Sequence, residues 1–321
     1  MSVVVVGSAN LDLVYRVERI PSPGETVLAL GSDSAPGGKG NNQVIAAARA
    51  GAPSAFVVAL GRDAAAERLI ASLADAGVDL RARRVDAPTG TAIITVDDGA
   101  ENAIVVDSGA NGMLDGLDQA ERDLVAAADV LLLQLETPLA TVAEAAAVAH
   151  AAGTTVVLNA APIRSLPTAL LGDVDVLVVN EHEAAHLAAE LSGEPVHDAS
   201  GEDLAGVLSR LGLAVIVTLG AQGAVVRVPD EPPAHVAGLR VQAVDTTGAG
   251  DTFCGALVAE LDRRRGPAER SGRTAGARPD LGTLVRAAEF ATVAAALSVQ
   301  RAGAVPSIPT LEEIHDFHSA S

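Results

Sequence analysis

The chain has 321 residues, of which 49% are hydrophobic and 20% charged, so it can bury the core of one large or two small domains. Its formal net charge of −19 argues against nucleic acid and anionic lipid as partners, because an acidic surface repels phosphate groups. A lone cysteine, Cys254, excludes an intrachain disulfide, and the N-terminus lacks a basic leader, so we expect a cytoplasmic protein. The longest uncharged stretch, residues 145–163, contains His, Gly and Asn and predicts a helix end, a turn and a strand instead of a membrane span.

Short apolar runs alternate with Ala-rich segments of helical length along the chain. The runs predict strands at 3–7, 55–60, 129–134, 154–160, 174–180 and 214–220, and the segments predict helices at 63–76, 138–152, 181–192 and 201–211. Apolar runs without polar alternation are typical of strands that are covered on both faces. This order of elements predicts an α/β fold with a parallel sheet wrapped by helices.

Two regions, residues 11–34 and 89–107, interrupt this alternation. The second has two β-type runs around the turn sequence DDGAEN, which predicts a hairpin. Because both regions interrupt the main sheet early in the chain, they predict the strands of a small separate sheet. Such a sheet beside a binding cleft can act as a lid.

Two common phosphate-binding loops do not fit this sequence. Around Lys39, the only lysine, Asp33 stands where a Walker A loop has its first glycine, and Gly40 stands where that loop has a hydroxyl. The first strand is followed by Gly7 alone, without the further glycines of a dinucleotide fingerprint. The absence of these two motifs disfavours a P-loop protein and a nicotinamide-dependent dehydrogenase.

A glycine cluster in VDTTGAGDTFCGALVAEL, residues 244–261, is predicted to follow a strand and to open a helix near Asp251. The backbone NH groups of Gly248, Ala249 and Gly250 can approach a ligand closely, and a helix N-terminus favours negative charge, so this segment predicts an anion hole. Asp251 at its mouth is a candidate base that takes a proton from an attacking hydroxyl. The structural alternative is that Asp251 is the N-cap of the helix.

Polar side chains follow three further predicted strands. Asn180 and Glu183 lie at the end of the strand 174–180, where they could reach a metal and phosphates. The structural alternative is that the two residues form a capping box at the start of the next helix. Glu136 follows the strand 129–134 and has a solvated loop as its alternative. Asn10 and Asp12 follow the first strand and could bind vicinal sugar hydroxyls, although both residue types also form turns.

The order of these segments, GSANLD, GGKGNNQ, QLETP, NEHEA and DTTGAGDTF, resembles the ribokinase-like (PfkB) carbohydrate kinase family from residue 3 to about residue 318. The resemblance implies a single domain, residues 1–321, with a three-layer α/β core and an inserted β-sheet lid that often pairs in a homodimer. It also implies transfer of the ATP γ-phosphate to a sugar hydroxyl. The pattern GGKGxNQ, with GETV upstream at 24–27, is most similar to members that phosphorylate the 5-hydroxyl of ribose.

The resemblance also implies roles for individual positions. Asp251 matches the base, and the anion hole is formed by Gly248, Ala249 and Gly250. The sugar contacts match Asn10, Asp12, Gly38, Lys39, Asn42 and Glu136. The nucleotide and Mg²⁺ positions match Asn180, Glu183, Thr218, Gly220 and Gly250. A monovalent cation, usually K⁺, matches Asp245, Thr247, Ser298, Arg301, Gly303 and Ser307.

Some positions depart from the family pattern, namely Asn41, Cys254 and Thr292. The Arg-rich stretch 262–280 indicates an inserted, solvated loop, with a binding patch as the alternative. For Lys39 we hypothesise that glycine neighbours leave room for a compact ammonium and not for a guanidinium fork; chance retention is the alternative. The alternatives for function are a family kinase of 2-deoxyribose, fructose, a 2-keto-3-deoxy sugar acid or a nucleoside, and a non-catalytic sugar or nucleotide sensor.

Overall fold

A computed structural model describes residues 3–97, 99, 101–194, 196, 198–265 and 278–320 of the chain. Its strands are β1 Val3–Val6, β2 Asn10–Arg16, β3 Gly31–Gly37, β4 Ser54–Leu60, β5 Asp79–Arg84, β6 Gly90–Val96, β7 Asn102–Asp107, β8 Val130–Leu133, β9 Thr155–Asn159, β10 Val176–Asn180, β11 Ala214–Thr218, β12 Gly223–Arg227 and β13 Ala234–Ala237. Its α-helices are α1 Lys39–Arg49, α2 Ala64–Asp75, α3 Gln119–Ala127, α4 Leu139–Ala151, α5 Thr168–Gly172, α6 Glu181–Ser192, α7 Gly201–Leu208, α8 Ala249–Arg264, α9 Leu281–Ser298, α10 Ala304–Ser307 and α11 Leu311–Ala320.

The large sheet has the strand order β13-β12-β11-β10-β9-β8-β1-β4-β5 among the described residues. The strands from β11 to β5 are parallel, as the apolar runs predicted, and each run forms a strand within a few residues of its predicted bounds. Strands β12 and β13, which extend the sheet in antiparallel pairing, were not predicted, and neither was the edge strand β5, whose sequence DLRARR is not an apolar run. The predicted α/β fold is confirmed.

Helices cover both faces of the large sheet, because alternate side chains of each strand point to opposite faces. In β1, Val3 and Val5 pack in the cluster formed with α1, α2, α8 and α9, whereas Val4 and Val6 pack in the cluster with α3, α4, α6 and α7. With so few aromatic residues, both clusters consist mainly of Val, Leu, Ile and Ala. These two clusters make the sheet the middle layer of three.

The small sheet has the order β3-β2-β6-β7, with β2 and β6 parallel and the other pairs antiparallel. It confirms the small separate sheet expected from residues 11–34 and 89–107, although β3 extends beyond 34 to Gly37. Strand β7 is exposed along its whole length, and its apolar residues Ile104, Val105 and Val106 face solvent. The assignment of residues 1–321 to a single domain stays a prediction.

Two sequence features are clarified by the fold. Helix α9 is, among the described residues, the one helix that is long and apolar enough to cross a membrane, but it packs against α8 and half of it is buried in the protein, as in a core helix. Of the Arg-rich stretch 262–280, residues 262–264 end helix α8, and residues 266–277 lie outside the described residues.

Candidate active site

The carboxyl ends of several parallel strands and the N-termini of α1 and α8 meet at one edge of the large sheet. A cavity of about 140 Å³ lies there, lined among others by Lys39, Asn180, Glu183, Thr218 and Asp251, with Gly248 and Gly250 beside them. Ligand crevices of open α/β sheets occur at this edge of the strands. Residues more than 200 positions apart, drawn from three of the predicted motifs, therefore share one cavity with Thr218 at the end of β11.

Helix α8 begins at Ala249, with Gly248 as its N-cap in the left-handed conformation at φ 75°. Asp251 is therefore the third residue of the helix, and the N-cap alternative for Asp251 is wrong. The expectation of a strand immediately before this motif is also wrong: β13 ends at Ala237. The chain instead reaches α8 through a segment in which the backbone NH groups of Val244 and Asp245 both donate to the carbonyl of Val299, at the end of α9.

The Asp251 carboxylate is buried, with 8% of the residue exposed, and both of its oxygens accept hydrogen bonds from α1. Asn42 Nδ2 donates to Oδ2 at 3.0 Å, and Gln43 Nε2 donates to Oδ1 at 2.9 Å. Gln43 also donates to Asn159 Oδ1 at 3.0 Å and accepts from Gln134 Nε2 at 2.6 Å. Gln43, Gln134 and Asn159 were not singled out from the sequence, although two of them lie in the quoted segments GGKGNNQ and QLETP.

Helix α1 approaches α8 closely enough to make these bonds because Gly255 has no side chain. A Cβ atom there would lie 2.4 Å from the Gln43 carbonyl oxygen and 2.5 Å from Ala46 Cβ. The position of a Cβ atom is set by the backbone, so no choice of rotamer relieves this contact, and a glycine is required where the two helices cross.

Glu136 lies in the loop between β8 and α4, but it is partly buried and hydrogen-bonded at the N-terminus of α1, so it is not a free solvated acid. Its Oε2 accepts from Ser8 Oγ at 2.6 Å and from the Lys39 backbone NH at 3.1 Å. Arg164 donates to the carbonyl oxygens of Leu135 and Thr137 on either side of it. The negative charge of this carboxylate is stabilised by the positive end of the α1 helix dipole, and these hydrogen bonds hold it in place.

Asn10 and Asp12 lie in strand β2, so the turn interpretation of both is wrong. Asn10 is buried, and its Oδ1 accepts from Asn111 Nδ2 at 2.7 Å; Asn111 also pairs with the backbone of Ala9. Burial, followed by the charges of Glu136 and Asp251, raises the pKa of Asp12 to about 7. Asp12 lies against Gly37, where a Cβ atom would be 2.1 Å from Oδ2.

Lys39 is the first residue of α1, and Gly38 before it has φ 86°, a conformation that favours glycine. Burial lowers the pKa of Lys39, but the nearby carboxylates of Asp251, Glu136 and Glu183 outweigh it, so that the pKa is raised. The single ammonium of the chain therefore stays charged and offsets a group of carboxylates.

Asn180 and Glu183 form the capping box that the sequence offered as one interpretation. Asn180 Oδ1 accepts from the Glu183 backbone NH, and Glu183 Oε2 accepts from the Asn180 backbone NH, both at 2.9 Å. Both residues also line the cavity, so capping and ligand contact are compatible. Burial raises the pKa of Glu183, although its hydrogen bond with Asn180 and the charge of Lys39 oppose that effect.

The residues expected around a monovalent cation lie in two adjacent segments. Asp245 accepts from the backbone NH groups of Thr247 at 2.9 Å and Gly303 at 2.8 Å; burial raises its pKa, but these bonds lower it by more. The buried hydroxyls of Ser298 and Ser307 donate to carbonyl oxygens of their own helices. The Arg301 side chain pairs with Glu313 instead.

Three departures from the family pattern have simple packing roles. Asn41 is fully buried in the first turn of α1, where its backbone NH donates to the Ser8 carbonyl. Cys254 is buried and lines the cavity, and burial raises its pKa well above the usual value. Thr292 Oγ1 donates to the Ala288 carbonyl within α9.

Gly220, expected at the nucleotide site, starts a short 3₁₀ turn after β11 and is exposed.

A sequence model described as pfkB family carbohydrate kinase matches residues 1–311 of the chain. The chain belongs to the pfkB family of carbohydrate kinases. A ribokinase from Staphylococcus aureus (strain COL) is 36% identical over 319 residues, which cover 98% of both chains. The crystal structure of a ribokinase from Thermotoga maritima superposes with a TM-score of 0.85 at 34% identity, covering 99% of both chains.

The structure of Arabidopsis thaliana ribokinase complexed with ribose and ATP superposes with a TM-score of 0.83 at 31% identity, covering 98% of both chains. The pfkB family membership is consistent with the geometry of the site. A buried carboxylate at a glycine-rich helix N-terminus can act as a base beside a bound phosphate, which phosphoryl transfer to an alcohol requires.

Proposed function

We propose that this pfkB-family enzyme is a ribokinase, which transfers the γ-phosphoryl group of ATP to the 5-hydroxyl of D-ribose. The observation that carries the proposal is the buried Asp251 carboxylate in the first turn of α8, in the same cavity as Lys39, Glu183 and Thr218. The full-length similarity to ribokinases, including one solved with ribose and ATP, supports ribose as the acceptor.

In the proposed mechanism Asp251 takes the proton of the 5-hydroxyl while its oxygen attacks the γ-phosphorus atom, and ADP leaves. The backbone NH groups at the start of α8, at Gly248, Ala249 and Gly250, stabilise the charge on the transferred phosphoryl group. In the structure the Ala249 NH donates to the Thr246 carbonyl at 3.2 Å, so it has to share this bond with the phosphoryl group or give it up. Gly248 is in the left-handed conformation, and a Cβ atom added to it would lie only 2.9 Å from Ala304 Cβ. A side chain at this position would therefore displace the anion hole.

The sugar site consists of Asn10, Asp12, Gly38, Lys39, Asn42 and Glu136. Because Asn10 Oδ1 already accepts from Asn111, its amide nitrogen remains as a donor to the sugar, whereas Asp12 supplies acceptors. A carboxylate can accept from two vicinal hydroxyls, which favours a sugar over a flat base as the acceptor. The scarcity of aromatic residues, 2% of the chain, also disfavours a nucleoside stacked on a ring.

The nucleotide site consists of Asn180, Glu183, Thr218, Gly220 and Gly250. No group of three His, Cys, Asp or Glu side chains within the described residues is placed to hold a metal ion by itself. A site with one carboxylate, Glu183, and one amide, Asn180, fits Mg²⁺ that arrives with ATP. Mg²⁺ keeps several waters and binds through one or two carboxylates and the substrate phosphates. Glu183 and Asn180 would hold it, and the ion would neutralise phosphate charge.

A monovalent cation fits beside the anion hole, between the segments of Asp245 and Thr247 and of Ser298, Arg301, Gly303 and Ser307. Asp245 supplies negative charge there, and the loops offer backbone carbonyl oxygens, which are ligands for K⁺. Arg49 of α1 donates to the carbonyl oxygens of Val305 and Ile308, so the same segment is tied to the helix that carries the sugar contacts.

We also propose that the enzyme is cytoplasmic and pairs as a homodimer through its small sheet. The exposed apolar side chains of β7 and the free edge of that strand support such pairing. Light scattering at the assay concentration tests it, since a monomeric mass contradicts the dimer.

The function is tested by ADP release from MgATP with ribose, 2-deoxyribose, fructose, 2-keto-3-deoxygluconate and adenosine, each in potassium and in sodium buffer. We expect a ribose-selective rate that rises in potassium. Selectivity for another acceptor would retain the kinase and refute the ribose assignment. A folded protein that binds ribose but releases no ADP with any acceptor would favour the sensor. Equal rates in the two buffers would refute the potassium site alone.

A further inference from the structure

We propose that Gln43 is a positioning residue that aims the Asp251 carboxylate, and that Gln134 and Asn159 hold Gln43 in the orientation this requires. The inference rests on the proposed function, because it takes Asp251 as the base. Gln43 and Gln134 are fully buried, at 0% exposure, and act from the interior side of the carboxylate.

The orientation of this chain of amides follows from the chemistry of one group. A carboxylate only accepts hydrogen bonds, so Gln43 must present its NH₂ group to Asp251 Oδ1, at 2.9 Å. The second hydrogen of that group goes to Asn159 Oδ1 at 3.0 Å. Gln43 Oε1 is then left as an acceptor, and Gln134 Nε2 donates to it at 2.6 Å.

The outer ends of the chain are held by the strands of the large sheet. Asn159 Nδ2 donates to the Val178 carbonyl of β10 at 3.2 Å. Gln134 Oε1 packs against Gly7, immediately after β1, where a Cβ atom would be only 2.0 Å away, and it accepts no hydrogen bond within the described residues. Asn159 is thus held by hydrogen bonds at both ends, and Gln134 by its bond to Gln43 and by close packing, so both are in place before the reaction needs them.

The two oxygens of Asp251 consequently have different roles. Oδ1 is held by Gln43, which is anchored by the sheet, whereas Oδ2 is held by Asn42, which belongs to the proposed sugar site. Oδ2 is then the oxygen that accepts the proton of the sugar hydroxyl, and Oδ1 is the fixed end about which the base is oriented. Small displacements of a reacting group cost large factors in rate.

The sharpest test is Gln43→Glu, which keeps the size of the side chain but places an acceptor opposite Asp251 Oδ1. Two carboxyl groups at this separation share a proton or repel each other. We expect kcat at pH 7 to fall about 100-fold. The acidic limb of the pH–rate profile should move up by about one pH unit, with the KM for ATP unchanged. Gln119→Glu is the matched control, since Gln119 donates to Asp123 in the same way on the exposed surface of α3.

Gln134→Met provides a second test, because it removes the donor to Gln43 without adding charge. We expect kcat to fall about tenfold, the worth of one buried hydrogen bond, with the KM for ribose and the acidic limb unchanged. If Gln43→Glu folds and its pH profile superposes on that of the wild type, or if Gln134→Met keeps full kcat, the positioning role is refuted. A wild-type enzyme that releases no ADP with ribose overturns the proposed function instead.

Discussion

The raised pKa of Asp12 predicts that ribose binding depends on pH near neutrality. Asp12 has a pKa of about 7 because its carboxyl group is partly withdrawn from solvent and lies near Glu136 and Asp251. It is therefore ionised in about one tenth of the molecules at pH 6 and in about nine tenths at pH 8. If only the carboxylate form accepts the sugar hydroxyls, the apparent Kd for ribose scales with the inverse of that fraction and falls about tenfold from pH 6 to pH 8.

Calorimetric titration of ribose in the absence of nucleotide measures this Kd without involving turnover. The same titrations in buffers of different ionisation enthalpy should show proton release that is larger at pH 6 than at pH 8. In Asp12→Asn the Kd should be weaker and should not change with pH. A wild-type Kd that is equal at pH 6 and pH 8, or an Asp12→Asn variant that keeps the pH dependence, would refute the reasoning.

The sign for protein stability is opposite to that for binding. The pKa of Asp12 in the folded protein lies above the 3.8 of an unperturbed aspartate, so the folded state binds a proton more tightly than the unfolded state. The stabilisation from this proton is complete below about pH 4 and is lost as the pH rises to about 7. Asp12→Asn should remove this loss, so its unfolding free energy at pH 8 should exceed that of the wild type in urea titrations.

The remaining predictions concern three single substitutions. Asp251→Asn should abolish ADP release but leave ribose binding measurable by calorimetry; lost binding with a retained rate would exclude its role as base. Lys39→Arg should raise the KM for ribose, because a guanidinium is bulkier than the ammonium between Gly38 and Gly40, and an unchanged KM would remove the steric explanation for the single lysine. Gly255→Ala should destabilise the protein by about 1–3 kcal/mol in urea unfolding through overpacking of α1 against α8. Gly172→Ala, at a helical glycine with open space around it, is the control and should be neutral; equal stability of both variants would contradict the close crossing.

Strand and helix positions in the large sheet could be predicted from the sequence because each depends on local residue patterns. VVVV at 3–6 and VLLL at 130–133 are fully apolar, and such runs are stable only when helices cover both faces. The motifs around Lys39, Asn180 and Asp251 could also be placed at strand ends or helix starts, and their order along the chain indicated the family. Residue type and spacing are sufficient for these conclusions.

Local pattern was not sufficient where a segment is stabilised by distant partners. Residues 238–248 include apolar side chains but form no strand, and the NH groups of Val244 and Asp245 bond to Val299 at the end of α9 instead of to a neighbouring strand. Asp251 can be an N-cap or an internal helix residue by its letter alone, and the left-handed Gly248 decides which. The raised pKa of Asp12 likewise depends on burial and on carboxylates that are remote in sequence.

The amide chain behind the base is the clearest case of what only the tertiary structure decides. No pattern in the sequence distinguishes Gln43, Gln134 and Asn159 from other polar residues. Their side chains meet only because α1 packs over the ends of β8 and β9. The sequence by itself determined most strands and helices of the large sheet, the family and the chemical groups available at the site. Their mutual distances, and hence which oxygen of Asp251 is held and which is presented, arise from packing that brings together residues 208 and 209 positions apart in the sequence.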